Sequence, residues 1–131
     1  MENSFKLEII SPEKIIFSDN VSEAMIPSYE GNMTILKNHI SIITFLRPGI
    51  IKVKKNEGSF DEFFVEDGTI EFYDNKLVIL SSSIAIIKEI TKEFLEKLNK
   101  DIQNKLQEKE ISDFDRYILS HKQEAIKEIS T

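Results

Sequence analysis

Between Phe5 and Leu80 apolar and polar residues recur in short runs closed by turn signals. Phe5, Leu7 and Ile9 alternate with Lys6 and Glu8, as in a strand with one buried face, and Ser11-Pro12-Glu13 stops the run. Further runs follow at Lys14 to Phe17, Val21 to Ile26, Met33 to Leu36, Ile42 to Leu46 and Ile50 to Lys54, with Pro27 and Pro48 each ending one. Asn56-Glu57-Gly58, Asp67-Gly68 and Asp74-Asn75 then turn the chain into Phe60 to Val65, Thr69 to Tyr73 and Leu77 to Leu80. The pattern predicts about nine or ten strands with no helix between them to carry a parallel crossover. An antiparallel sandwich or flattened barrel follows.

Beyond residue 87 the period changes from two to between three and four. Phe94, Leu95, Leu98, Ile102 and Leu106 line one face of a helix that Thr91 caps. Ser112 opens a second helix, with Asp115 three residues on, whose stripe is Phe114, Tyr117, Ile118, His121, Ala125 and Ile129. Gln107 to Ile111 is polar but holds no helix breaker, which leaves two shapes open. The tail can bend into a helical hairpin, or run straight for about 60 Å as one helix of about 40 residues.

Composition marks the same break. The first 87 residues carry 8 basic and 13 acidic side chains and every Gly and Pro; the last 44 carry 9 and 10 and neither Gly nor Pro. The expected domains are a β-sandwich over 1–87 and a helical tail over 88–131, an α+β chain. A net charge of -6 offers no basic field for nucleic acid. With no cysteine the chain has no disulfide or thiolate chemistry. No window approaches the roughly 18 consecutive apolar residues of a membrane span. Met1-Glu2-Asn3-Ser4 has neither the basic n-region of a signal peptide nor the pattern of a transit peptide, so the protein is expected to work where it is made.

The residues give no sign of catalysis. The four glycines are isolated and none opens a helix after a strand, so a phosphate loop is missing. Neighbours in a strand point to opposite faces, so Asp61-Glu62 and Glu66-Asp67 read as a solvated edge. Ser81-Ser82-Ser83 reads as a domain junction. His39 reads as a structural or interface residue in a loop and His121 as packing on the helical stripe. No catalytic residue, metal ligand or cofactor is assigned. On these grounds alone a free-standing sandwich adaptor, capturing a partner protein through its tail, is one reading.

The order of motifs points to a second. Ser11-Pro12-Glu13-Lys14 with Phe17-Ser18, Val21, Pro27, Glu30-Gly31, Leu36, Asn38-His39, Leu46-Arg47-Pro48-Gly49, Gly68 and Leu77-Val78-Ile79-Leu80 resembles the epsilon subunit of F-type ATP synthases. Asp113-Phe114-Asp115-Arg116 is similar to the start of the family's last helix, and the likeness covers essentially the whole chain. The family's Gly-His-Ala-Pro appears here as Asn38-His39-Ile40-Ser41, a family glycine is replaced by Thr34, and Asp67 stands for the first of two glycines. Some members bind ATP through Ile-Asp-x-x-Arg-Ala. The aligned Ile90-Thr91-Lys92-Glu93-Phe94-Leu95 lacks both Asp and Arg, so nucleotide binding is not carried over.

The resemblance implies a non-catalytic rotor subunit whose sandwich sits on the gamma subunit and the c-ring and whose two-helix tail can restrain ATP hydrolysis. It implies a c-ring-facing loop of Glu30, Gly31, Asn32 and Met33 and a gamma-facing stretch of His39, Ile40, Ser41, Ile42 and Ile43. Arg116, Lys122 and Lys127 are the tail cations expected to meet the alpha/beta catalytic head. The place implied is the cytoplasmic side of the bacterial inner membrane, as a peripheral part of the complex without direct membrane insertion.

Overall fold

The computed structural model describes residues 3–130. Met1 and Glu2, where the N-terminal reading begins, and Thr131 lie outside the described residues. Nine strands come first: β1 (Phe5–Ile10), β2 (Ile15–Ser28), β3 (Gly31–Ile35), β4 (Ile42–Leu46), β5 (Gly49–Lys55), β6 (Phe60–Val65), β7 (Gly68–Tyr73), β8 (Lys76–Leu80) and β9 (Ile84–Ile86). A single turn of 3-10 helix at Ile87–Glu89 leads into α1 (Lys92–Leu106) and α2 (Asp113–Ser130). A β-sandwich followed by a helical hairpin is the architecture that the patterning and the resemblance together led us to expect.

The strands form one sheet folded over on itself in the order β1-β8-β7-β4-β2-β5-β6-β9, with β3 beside β2. The fold is possible because β2 is long. Its first half pairs with β1 and its second half with β3 and β5. The runs at Lys14 to Phe17 and Val21 to Ile26, expected as separate strands, are therefore one. Ser18 to Asn20 is polar only because that stretch is outward and solvated, whereas its backbone stays paired to Leu7, Glu8 and Lys6. Pro27 does not end the strand either. It sits within β2 opposite Asn32, where its carbonyl accepts a bond of 3.0 Å from the Arg47 amide.

Two further differences concern topology. β9 was hidden in the sequence because it has three residues and no alternation. β1 and β8 pair in parallel, Lys6 with Lys76 through Ile10 with Leu80, although an all-antiparallel sandwich was expected. A parallel pair needs a long crossover but not a helical one, and here the intervening strands of the sandwich serve as the connection.

The alternation of the sequence becomes the core. Phe5, Leu7 and Ile9 of β1, Ile70 and Phe72 of β7, Leu77 and Ile79 of β8 and Ile51 and Val53 of β5 are all buried in one cluster. Phe5 and Phe72 meet edge to face at 5.6 Å. Gly68 ends the β6–β7 turn at φ +148°, and a Cβ there would stand 2.5 Å from the Leu80 carbonyl oxygen. Only glycine lets β7 and β8 approach at that point.

The tail is bent. Thr91 Oγ1 accepts from the Phe94 amide at 3.1 Å and Ser112 Oγ from the Asp115 amide at 3.0 Å, so both expected caps are made. Ile102, Leu119 and Ile126 are buried together, with Leu95, Leu98, Leu106 and Ile111 around them. The bend brings α2 back to cover the α1 stripe, which a straight helix leaves wet. The stripe of α2 was misread, however. Leu119 and Ile126 face α1, whereas Tyr117, His121 and Ala125 face the sandwich. A helix between two neighbours needs two apolar seams, and a single helical period cannot tell them apart.

Candidate interaction surfaces

Glu30 and Tyr29 form the two-residue loop between β2 and β3, and Gly31 at φ +121° lets the strand resume. Ser28 Oγ donates to the Gly31 carbonyl at 2.7 Å, and Arg47 Nη2 donates to Asn32 Oδ1 at 2.9 Å. Glu30 and Asn32 are exposed, while Met33 packs against the core from the inner face. The four loop residues named from the resemblance are thus brought together, but Met33 points away from the other exposed side chains.

The stretch from His39 divides in the same way. Ile40 and Ile43 are 78% and 73% exposed, Ser41 is exposed, and Ile42 packs against the core. The His39 ring stands edge-on to Phe72 at 5.8 Å and its Nδ1 donates to the Ile40 carbonyl at 2.7 Å. Asn38 precedes it at φ +67°, a left-handed conformation that asparagine tolerates where the family has glycine. Its amide donates to Asn75 Oδ1 at 2.6 Å, and Asn75 Nδ2 donates back to Asn38 Oδ1 at 3.0 Å. The two turns are tethered to each other by this pair of bonds.

Pairing extends this surface beyond the residues that the sequence singled out. Ile43 lies opposite Glu71, and Phe45 lies opposite Thr69, which in turn lies opposite Leu80. Directly opposed residues share a face, so Ile43 and Phe45 of β4 and Leu80 of β8 stand on one outward face, with Thr69 and Glu71 of β7 between them. Phe45 is 62% and Leu80 48% exposed. Their signal was present as apolar residues out of phase with the buried ones, on strands whose other face fills the core.

The tail cations separate. Arg116 and Lys127 are exposed. Lys122 is not directed at a remote partner, because its Nζ lies 2.7 Å from Glu66 Oε1 and both side chains are shielded. The Glu66-Asp67 pair is accordingly no merely solvated edge. Ser81 Oγ donates to the Asp67 carbonyl at 2.6 Å, Ser83 Oγ donates to Asp67 Oδ1 at 2.9 Å, and Ser83 Oγ accepts from the Asp67 amide at 3.2 Å. The serine run pins the turn that presents Glu66 to α2. Asp61 and Glu62 pair with Lys55 and Lys52 at 3.3 and 3.8 Å on the surface of β5 and β6.

Aromatic rings complete the contact between tail and sandwich. Tyr29 stacks with Phe114 at 6.2 Å and with Tyr117 at 6.0 Å, and the Tyr117 hydroxyl donates to the Tyr29 carbonyl at 3.3 Å. Burial first, and then the neighbouring Tyr117 and Asp67, push the Tyr29 phenol above its ordinary value of 10.0. His121 packs against Tyr117 at 4.4 Å with its Nδ1 buried, 3.4 Å from Glu124 but without a hydrogen bond. Beside it a cleft of about 180 Å³ separates α2 from the sheet, lined by Pro27, Arg47, Gly49 and Lys52 on one side and His121 and Glu124 on the other. No helix among the described residues is long and apolar enough to cross a membrane.

A folded-over sheet with a docked helical hairpin places the chain among proteins built on the sandwich of ATP synthase delta and epsilon chains. The family model for the ATP synthase Delta/Epsilon chain beta-sandwich domain matches residues 4–86. The ATP synthase epsilon chain of Pelagibacter ubique is 41% identical over 131 residues, 99% of this chain and all of that one. The epsilon chain of Rhizobium etli is 28% identical over 123 residues, 91% of each.

Solved structures share the fold. A chain in the Euglena gracilis mitochondrial ATP synthase OSCP/F1/c-ring assembly superposes with a TM-score of 0.77 at 22% identity, over 97% of this chain and 79% of that one. A chain in the Tetrahymena thermophila mitochondrial central stalk and c-ring does so at 0.59 and 15%, over 95% and 92%. The chain belongs to the ATP synthase epsilon chain family. Membership removes the ground for a free-standing adaptor.

Proposed function

We propose that the chain is a non-catalytic rotor subunit of the central stalk, which transmits proton-driven rotation of the c-ring to the catalytic head by docking on gamma and on the ring. Its place is peripheral, on the cytoplasmic side of the inner membrane, as part of the membrane-associated complex. The sandwich of residues 1–87 is the docking wedge and the tail of residues 88–131 is a separable arm.

The observation that carries this reading is the outward apolar face of Ile43, Phe45 and Leu80 on a sheet whose other face is a complete core. Exposed apolar surface of that kind costs solubility unless a permanent partner covers it. Gamma covers it in this reading, with His39 to Ile43 at its margin, and the turn at Glu30 to Met33 meets the ring. When the tail leaves the sandwich, Lys122 exchanges Glu66 for acidic groups of the alpha/beta head, beside Arg116 and Lys127, and hydrolysis is restrained. The differential contacts are those lost at Tyr29 and Glu66 and those gained on the head.

The test is Ile43→Asp in the assembled enzyme. The expected outcome is loss of this subunit from complexes recovered by pull-down from native membranes, with normal far-UV dichroism of the isolated protein. Full retention beside gamma would show that the outward face is not the docking surface.

A further inference from the structure

The turn read here as ring-facing is gripped by the tail at its start and borders the cleft beneath the tail at its other end. At its start, Tyr29 is one of the two loop residues of the β2–β3 hairpin. Its ring lies against Phe114 and Tyr117, and its carbonyl accepts the Tyr117 hydroxyl. At its far end, Asn32 is held by Arg47, whose guanidinium borders the cleft that His121, Glu124 and Glu128 close from the tail side. A two-residue loop has few torsions, so fixing Tyr29 fixes half of it. When α2 lifts away, Tyr29 loses both rings and its carbonyl partner, and the cleft beside Arg47 opens.

We infer that the Glu30 to Met33 turn and the docked tail are energetically coupled through Tyr29, so that the c-ring binds the tail-docked form more tightly than the tail-released form. The inference rests on the reading of that turn as ring-facing. Coupling of this kind is reciprocal: a ring that prefers the fixed turn holds the tail down, and a lifted tail loosens the seat on the ring. The two sites are the turn and the face of α2. The two states are the hairpin docked on the sandwich and the hairpin released, and the differential contacts are the stack, the hydroxyl bond and the cleft.

The experiment uses the full chain, hydrogen exchange, and binding to detergent-solubilised c-ring. Lys122→Glu sets two carboxylates face to face at Glu66 and lifts the tail without touching the turn. Tyr117→Ala removes the grip on Tyr29 directly. Faster exchange over residues 113–130 reports release in each. The expected result is that amides from Gly31 to Ile35 then also exchange faster and that ring affinity falls roughly tenfold. The paired exchange of Glu66→Lys with Lys122→Glu is expected to restore both.

Unchanged turn exchange and unchanged ring affinity in a variant whose tail exchanges fast would overturn the coupling. So would a tail that neither variant releases, because the contacts named would then not hold it. If the unaltered protein does not bind the ring at all, the ring-facing reading fails, and the exchange data alone decide whether tail and turn are linked.

Discussion

The sandwich and the tail are held together by different means. The sandwich core is a continuous cluster of sixteen buried side chains drawn from eight strands and closed by backbone ladders on nearly every edge. The tail buries three residues between its helices and reaches the sandwich through two rings stacked on Tyr29, the Tyr117 hydroxyl bond, one ion pair and a cleft. Removing a member of the first set leaves a cavity in a close-packed interior, whereas removing a member of the second trades a protein contact for a solvated one. The sandwich is held by burial throughout, and the tail by a few contacts near the surface.

The sharpest way to break this contrast is to weaken each part alone. Phe72→Ala, at the centre of the core and in contact with Phe5, is expected to cost about 3–5 kcal/mol in urea unfolding and to lower the transition of the whole chain. Ile102→Ala is expected to cost about 2–4 kcal/mol locally. Hydrogen exchange over α1 and α2 should then speed up while the strands stay protected. If the strands lost protection to the same degree, the two parts would be one cooperative unit and the contrast false.

The smallest effect is on pH. The Tyr29 phenol is raised in the docked form, so the docked form prefers it neutral. The stabilising contribution is therefore whole below pH 10 and is lost as the pH rises through the raised value. Once the intrinsic base-catalysed rate is divided out, tail exchange should quicken more above about pH 10 in the unaltered protein than in Tyr29→Phe.

The same contrast governs what could be read in advance. Alternation of period two located the buried residues of β1, because a strand with one wet face writes its core directly into the chain, and turn signals located the runs that became β5, β7 and β8. The two caps were legible for an equally local reason, since hydroxyl and amide lie three residues apart. What depends on distant partners was not legible. Nothing near Lys14 to Ile26 shows that one strand serves both layers, and nothing near Lys122 names Glu66, 56 positions earlier. Phe45 and Leu80 were visible as strand residues, but only the pairing through Thr69 reveals that they share a face with Ile43.

The parallel pairing of β1 with β8 bears on how the chain comes to be made. Phe5, Leu7 and Ile9 meet β2 within a few residues of leaving the ribosome, yet their other edge waits for a strand that begins seventy positions after Lys6, at Lys76. Until then one rim of the nascent sheet stands open, and contacts of such long sequence separation make for slow closure. Because the helices are translated last, the sheet can be sealed before they exist. A truncated transcript that stops short of Leu80 should yield a species that aggregates, whereas one that stops after β9 should not.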